Sequence, residues 1–236
     1  MLLEARAPWE FAATLAASPW LARLPHGDGH PVIVFPGLGA SDFTTAPLRH
    51  FLRERGYIAC PWTEGFNFGP RRGVLDACRA QLAELADKHG QKVSLIGWSL
   101  GGIYARELAK EQAECVRCVV TLGTPFSGPP HATNAWRVYE WLSGQSVSDH
   151  ELAGQLHHAP PVPTTSIYSK SDGIVAWQCS LNEKSPLAEN IEVHASHVGM
   201  GVNPLALYAI ADRLAQQPGG WRPFDPRGAR RWFFKT

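Results

Sequence analysis

Gly97, Ser99 and Gly101 fall in the pattern G-x-S-x-G, within Gly97-Trp98-Ser99-Leu100-Gly101. Val93 to Ile96 form an apolar, partly β-branched run before it, and Leu100, Ile103, Tyr104 and Leu108 repeat at helical spacing after it. Strand, sharp turn and helix in that order hold a serine in a strained backbone conformation with its hydroxyl in the open, the glycines removing side chains that would collide with neighbouring elements. Unpaired N–H groups and the positive end of the helix dipole then surround the hydroxyl, which suits the oxyanion of a tetrahedral acyl intermediate. Glycine-rich turns of this kind also serve packing or phosphate binding, so the flanking periodicity carries the reading.

A serine hydroxyl is a weak nucleophile near neutrality and needs a base, oriented in turn by a third group. The strand Ile191–His194 is followed by Ser196-His197-Val198-Gly199-Met200. His197 stands in the loop beyond this strand, whereas its rival His194 falls inside it. The alternating strand Thr164–Ser169 ends at Lys170-Ser171-Asp172-Gly173-Ile174-Val175, placing the Asp172 carboxylate on a tight turn suited to holding an imidazole. Glu192 within a strand, Asp149 in an insertion and Asp212 on the last helix lack that position. Earlier, the apolar run Val32–Phe35 enters Pro36-Gly37-Leu38-Gly39, where the Leu38 N–H is placed to face the serine; the alternative is an ordinary strand-to-helix turn. Ser41 and Asp42 read as a helix cap.

These residues need a scaffold, and the chain has the rhythm of a parallel α/β sheet. Its 236 residues, 44% of them hydrophobic, fit one domain with a sizeable core. Residues 1 to 24 read as an amphipathic lead-in helix with Trp9, Phe11, Leu15, Trp20 and Leu24 available to dock. Helices are expected over Thr44–Arg55 and Gly73–His89, and strands over Tyr57–Cys60 and Val116–Leu122; 62–72 is a loop near the site with no assigned chemistry. From 126 to 163 the pattern lapses into an aromatic-rich insertion that is either a helical cap or lid over an apolar cleft or a completion of the core. Asn203-Pro204 caps a last helix with Leu207, Ile210, Ala211 and Leu214 inward, and the tail 218–236 straps onto the surface.

A formal charge of +1 and no basic run before the tail argue against a nucleic-acid partner. No apolar run approaches the roughly 20 residues of a membrane span. Glu4 and Glu10 interrupt any export signal, and five scattered cysteines (Cys60, Cys78, Cys115, Cys118 and Cys179) favour reduced thiols and a cytoplasmic protein. Cys115 and Cys118 read as strand-edge packing rather than a metal or redox pair. His150, His157 and His158 read as exposed loop residues.

Leu38, Ser99, Asp172 and His197 are thus expected at the C-terminal ends of different strands, in the chain order nucleophile, acid, histidine. With Pro36-Gly37-Leu38-Gly39, Gly97-Trp98-Ser99-Leu100-Gly101-Gly102, Leu122-Gly123-Thr124-Pro125, Ser171-Asp172-Gly173-Ile174-Val175 and Ser196-His197-Val198-Gly199-Met200, the chain resembles the lipase/esterase-like branch of the bacterial α/β-hydrolases over residues 30 to 216. That resemblance implies a compact α/β-hydrolase fold of about six mainly parallel strands with helices on both faces and a small helical cap. It implies Ser99 as nucleophile, His197 as general base, Asp172 as its orienter, and the Leu38 and Leu100 N–H groups as the oxyanion hole. Trp98, Phe126, Trp136 and Tyr139 are expected to line the substrate cleft. Many lipases carry His-Gly where this chain has Pro36-Gly37, and Gly-Thr-Pro-His where it has Phe126, departures that bear on the substrate and leave acyl chemistry intact. The expected activity is hydrolysis of a small-molecule or lipid ester, without metal or organic cofactor; acyl transfer and thioester cleavage use the same groups, and a non-catalytic binding module is the reading from another class.

Overall fold

The computed structural model describes residues 2–69, 71, 73–127, 157–226 and 232–234. The strands are β1 (Pro31–Phe35), β2 (Ile58–Pro61), β3 (Val93–Trp98), β4 (Val116–Leu122), β5 (Thr164–Tyr168) and β6 (Ala188–Glu192). All pair in parallel, in the order β2-β1-β3-β4-β5-β6. The helices are α1 (Ala7–Leu21), α2 (Asp42–Glu54), α3 (Val74–His89), α4 (Gly101–Glu111) and α5 (Pro204–Leu214), with short 3-10 turns at Leu2–Arg6, Trp177–Ser180 and Met200–Val202.

Alternation along each strand divides its side chains between two layers. Val32, Val34, Ile96, Val120, Leu122, Ile167 and Ile191 join the residues of α1, α2 and α5 in one core. Ile33, Phe35, Val93, Leu95 and Val119 pack with α3 and α4 in the other. Burial on both sides is why β1 and β3 read as nearly continuous apolar runs. Gly73 and Gly90, both at positive φ, bound α3, and the Asn203 side chain accepts from the Leu205 and Ala206 N–H groups to start α5.

The strand order fixes where a site can form. From β1 the chain steps outward to β2, then returns across β1 to β3 on its other side. The loops leaving β1 and β3 therefore diverge at their C-terminal ends and open a crevice. Pro36–Gly39 forms one lip and Trp98–Gly101 the other.

Several boundaries differ from expectation. β6 ends at Glu192, so His194 lies in the loop beyond it, exposed, and not inside a strand. α2 begins at Asp42; Ser41 makes no side-chain cap, and the Asp42 carboxylate instead accepts the Trp62 and Thr63 N–H groups across the crevice edge. On α1, Leu21 and the following Leu24 are buried and Trp20 stacks on Tyr208 at 5.3 Å, but Trp9, Phe11 and Leu15 face solvent because the helix docks through its C-terminal turn and its polar N-terminal side. Phe224 and Phe234 of the tail close over Tyr208 with centroids 6.1 and 5.5 Å away. Most of the insertion, with Trp136 and Tyr139, lies outside the described residues. The five cysteines are free thiols, and no helix of the described residues is long and apolar enough to cross a membrane.

Candidate active site

Ser99 directly follows β3 and lies one residue before the start of α4, with φ of 53° and Leu100 between. A non-glycine residue there carries strain of about 1–3 kcal/mol and needs its surroundings to impose it. Backbone packing imposes it. A side chain at Gly97 would run into Gly101 and Gly102, and one at Gly101 into the carbonyls of Phe35 and Pro36. The Ser99 N–H is held by the Leu122 carbonyl at 2.8 Å. Only absence of side chains lets the three strand ends approach this closely.

The opposite lip comes equally near. A Cβ at Gly37 would lie 3.2 Å from Ser99 Cβ. Among the described residues the N–H groups of Leu38 and Leu100 donate to no protein acceptor. The β1 loop is fixed by Asn67, a fully buried residue that sequence reasoning left without a role. Its Nδ2 donates to the Pro36 carbonyl at 2.7 Å, its carbonyl accepts the Gly39 N–H at 2.7 Å and its Oδ1 accepts from Gly69.

Asp172 and His197 meet across the ends of β5 and β6. His197 Nδ1 and Asp172 Oδ2 are 2.6 Å apart with both side chains buried. Asp172 Oδ1 accepts the N–H groups of Ile174 and Val175 at 2.8 and 2.7 Å, so its tight turn orients the carboxylate as well as carrying it. Gly123, φ 53°, lies under the pair; a Cβ there would stand 3.0 Å from Asp172 Oδ2 and 3.1 Å from His197 Nδ1. The Trp98 indole N–H donates to the His197 carbonyl at 3.0 Å, coupling the serine turn to the histidine loop. Among the described residues no hydrogen bond joins His197 to the Ser99 hydroxyl; such bonds often tighten only when substrate is present.

The remaining expected site residues fall out differently. His194 sits outside this arrangement, 3.3 Å from Ser171 Oγ and 3.5 Å from Arg6. Phe126 is 2% exposed, with the Arg106 guanidinium 3.7 Å above its ring, which leaves little of it to touch a substrate in this conformation. Glu4 and Glu10, noted in the sequence only as interruptions of an export signal, contact the histidine loop directly. Among the described residues one group could hold a metal: ligand atoms of His157, His158 and Glu183 lie within 4.8 Å of one another near the surface. Arg106 donates to the carbonyls of both histidines, and a permanent guanidinium charge so close disfavours a cation.

A doubly wound parallel sheet with a strained serine after its third strand, and a buried carboxylate–imidazole pair at the same end, defines an α/β-hydrolase. Residues 9–234 match the profile of the alpha/beta hydrolase family, and the chain belongs to that family. A pimeloyl-[acyl-carrier protein] methyl ester esterase of Legionella pneumophila (strain Paris) is 30% identical over 97 residues, which are 41% of this chain and 39% of that protein. The chain thus matches about two fifths of the length of this curated relative. Among solved structures, lipase B of Aspergillus fumigatus superposes with a TM-score of 0.62 at 18% identity, over 84% of this chain and 56% of that one. A mature Bacillus licheniformis lipase gives 0.61 at 18%, over 82% and 95%.

Proposed function

We propose that this chain is a serine-dependent carboxylic ester hydrolase acting through an acyl-serine intermediate. The observation that carries the reading is Ser99 held at φ 53° between β3 and α4, a strained turn that serves no packing need a glycine would not serve better. The Asp172–His197 pair supports it, as does the esterase activity in the name of the Legionella relative.

In this reading His197 Nε2 takes the Ser99 proton as Oγ attacks the ester carbonyl, while Asp172 keeps the Nδ1–H in place. The tetrahedral oxyanion forms against the Leu38 and Leu100 N–H groups. Collapse breaks the ester C–O bond, and the imidazolium protonates the departing alcohol. Water, deprotonated by His197, then attacks the acyl-serine and returns the free hydroxyl. Hydrolysis of p-nitrophenyl esters from acetate to palmitate, in wild type and Ser99→Ala, tests the assignment: turnover is expected in the first and only background in the second. Equal rates in both would refute it.

A further inference from the structure

The turn Leu2–Arg6 and the start of α1 lie against the two loops that carry Asp172 and His197, and their charged side chains bind those loops. Glu4 Oε1 accepts the Gly173 N–H at 2.8 Å and the His197 N–H at 3.1 Å, and Oε2 accepts the Val198 N–H at 2.8 Å. One carboxylate, 193 positions upstream of His197, therefore joins the acid loop to the base loop. Glu10 holds the base loop alone, one residue earlier, with Oε1 accepting the Ser196 N–H at 2.7 Å and Oε2 accepting the Ser196 hydroxyl at 2.8 Å. Arg6 bridges Glu10 Oε1 at 3.1 Å to Ser171 Oγ at 2.6 Å and the Ser171 carbonyl at 2.9 Å.

Two glycines of the site motifs are explained by these contacts. A Cβ at Gly173 would stand 2.9 Å from Glu4 Oε1, and one at Gly199 would overlap the Glu10 carboxylate. The loops are cut to admit the two acids. Burial acts to raise the Glu4 pKa, but the N–H groups of Val198, His197 and Gly173, with attraction to His197, outweigh it and hold the carboxyl below its usual range. Glu4 is therefore charged at neutral pH.

Resting on the triad reading above, we propose that Glu4 is a positioning residue for the Asp172–His197 pair, fixing both loops and placing a negative charge beside the imidazole that favours the imidazolium formed as Ser99 loses its proton. Charge-assisted bonds to three backbone donors give it a firm hold on both loops. The groups facing His197 are Asp172 from the loop after β5, Glu4 from the N-terminal turn, Gly123 from the loop after β4 and the uncharged Trp98 indole from β3; Glu10, paired with Arg6, lies next to Ser196.

The test is an NMR titration of the His197 ring in histidine-labelled protein, its signal assigned by loss in His197→Gln, for wild type, Glu4→Gln and Glu4→Ala, alongside the pH profile of kcat/KM on an ester. Removing the charge in Glu4→Gln is expected to move the titration midpoint, and with it the acid limb of kcat/KM, down by about half a pH unit or more. Glu4→Ala is expected to show the same shift and to lower kcat by roughly 10- to 100-fold with little change in KM, the cost of a misplaced base. An unmoved midpoint in Glu4→Gln overturns the proposal, whether or not activity falls, because a purely structural prop would lower activity without shifting the titration. The isosteric Glu4→Gln decides the matter should Glu4→Ala not fold. Because the titration needs no substrate, it also separates failure of this proposal from failure of the ester assignment.

Discussion

At the scale of single residues, the site is a set of positions where the ordinary backbone preference is overridden. Ser99 holds a left-handed conformation that glycine adopts freely. Ser99→Gly is therefore expected to abolish turnover while raising unfolding free energy in urea by about 1 kcal/mol, relieving stored strain. Ser99→Ala and His197→Ala each are expected to lower kcat on the order of 10⁶-fold if the groups act as a unit, and Asp172→Asn by about 10⁴-fold through the wrong tautomer. Gly123 shows the same logic in reverse: its φ is positive, and a methyl group there, 3.0 and 3.1 Å from Asp172 and His197, would push both groups aside. Gly123→Ala is expected to cost about 1–3 kcal/mol of stability and to lower kcat roughly 10-fold or more, as measured by urea unfolding and ester turnover.

At the scale of elements, residue types are insufficient without a place at the right end of the sheet. Asp28, His30 and Ser94 form a second chain of the same kind, with His30 Nδ1 at 2.6 Å from Asp28 and Nε2 at 2.8 Å from Ser94 Oγ. It lies at the N-terminal ends of β1 and β3, and His30 and Ser94 are fully buried, so no substrate reaches it. Its consequence is for stability. Burial lowers the His30 pKa in the fold despite the Asp28 bond, so the native ring is neutral. The unfolded ring protonates first as pH falls, so this contribution is complete above the ordinary value of 6.5 and is lost as pH drops below it toward the lower folded value. Asp28 is opposed by burial, but the His30 and Arg117 hydrogen bonds win and lower it to about 2, so its contribution is lost between the ordinary 3.8 and that value. Urea unfolding is expected to show stability falling as pH drops below 6.5, with a shallower slope in His30→Gln; identical slopes would contradict the assignment. Asn67 acts at this scale too, since Asn67→Ala frees the loop bearing Leu38 and is expected to cost about 1–3 kcal/mol.

For the whole molecule, the sequence was legible where structure is local. The apolar runs of β1 and β3, the three-and-four spacing of α3 and α4, and the Gly97-x-Ser99-x-Gly101 turn encode themselves within a few residues, and the order of strands and motifs placed Asp172 and His197 on adjacent loops. What could not be read depends on contacts between distant segments. Glu4 reaches His197 across 193 positions, and nothing near Glu4 signals that bond. Asn67 sits in a loop without periodicity, and the end of β6 is set by pairing with β5 rather than by its own pattern. Arg106, behind the site, joins Phe126 to the carbonyls of His157 and His158 and so ties together both flanks of the insertion. In the tail, Phe224 is 5% exposed and meets Phe234 edge to face at 5.0 Å. Phe224→Ala is expected to cost about 3–5 kcal/mol by urea unfolding while leaving kcat unchanged.

The most direct test is to expose wild type and Ser99→Ala to a fluorophosphonate, map the adduct by mass spectrometry, and measure p-nitrophenyl ester turnover in parallel. Stoichiometric labelling of Ser99, with labelling and turnover both lost in the variant, is the expected result. An adduct on another residue, or turnover that survives Ser99→Ala, would contradict the account.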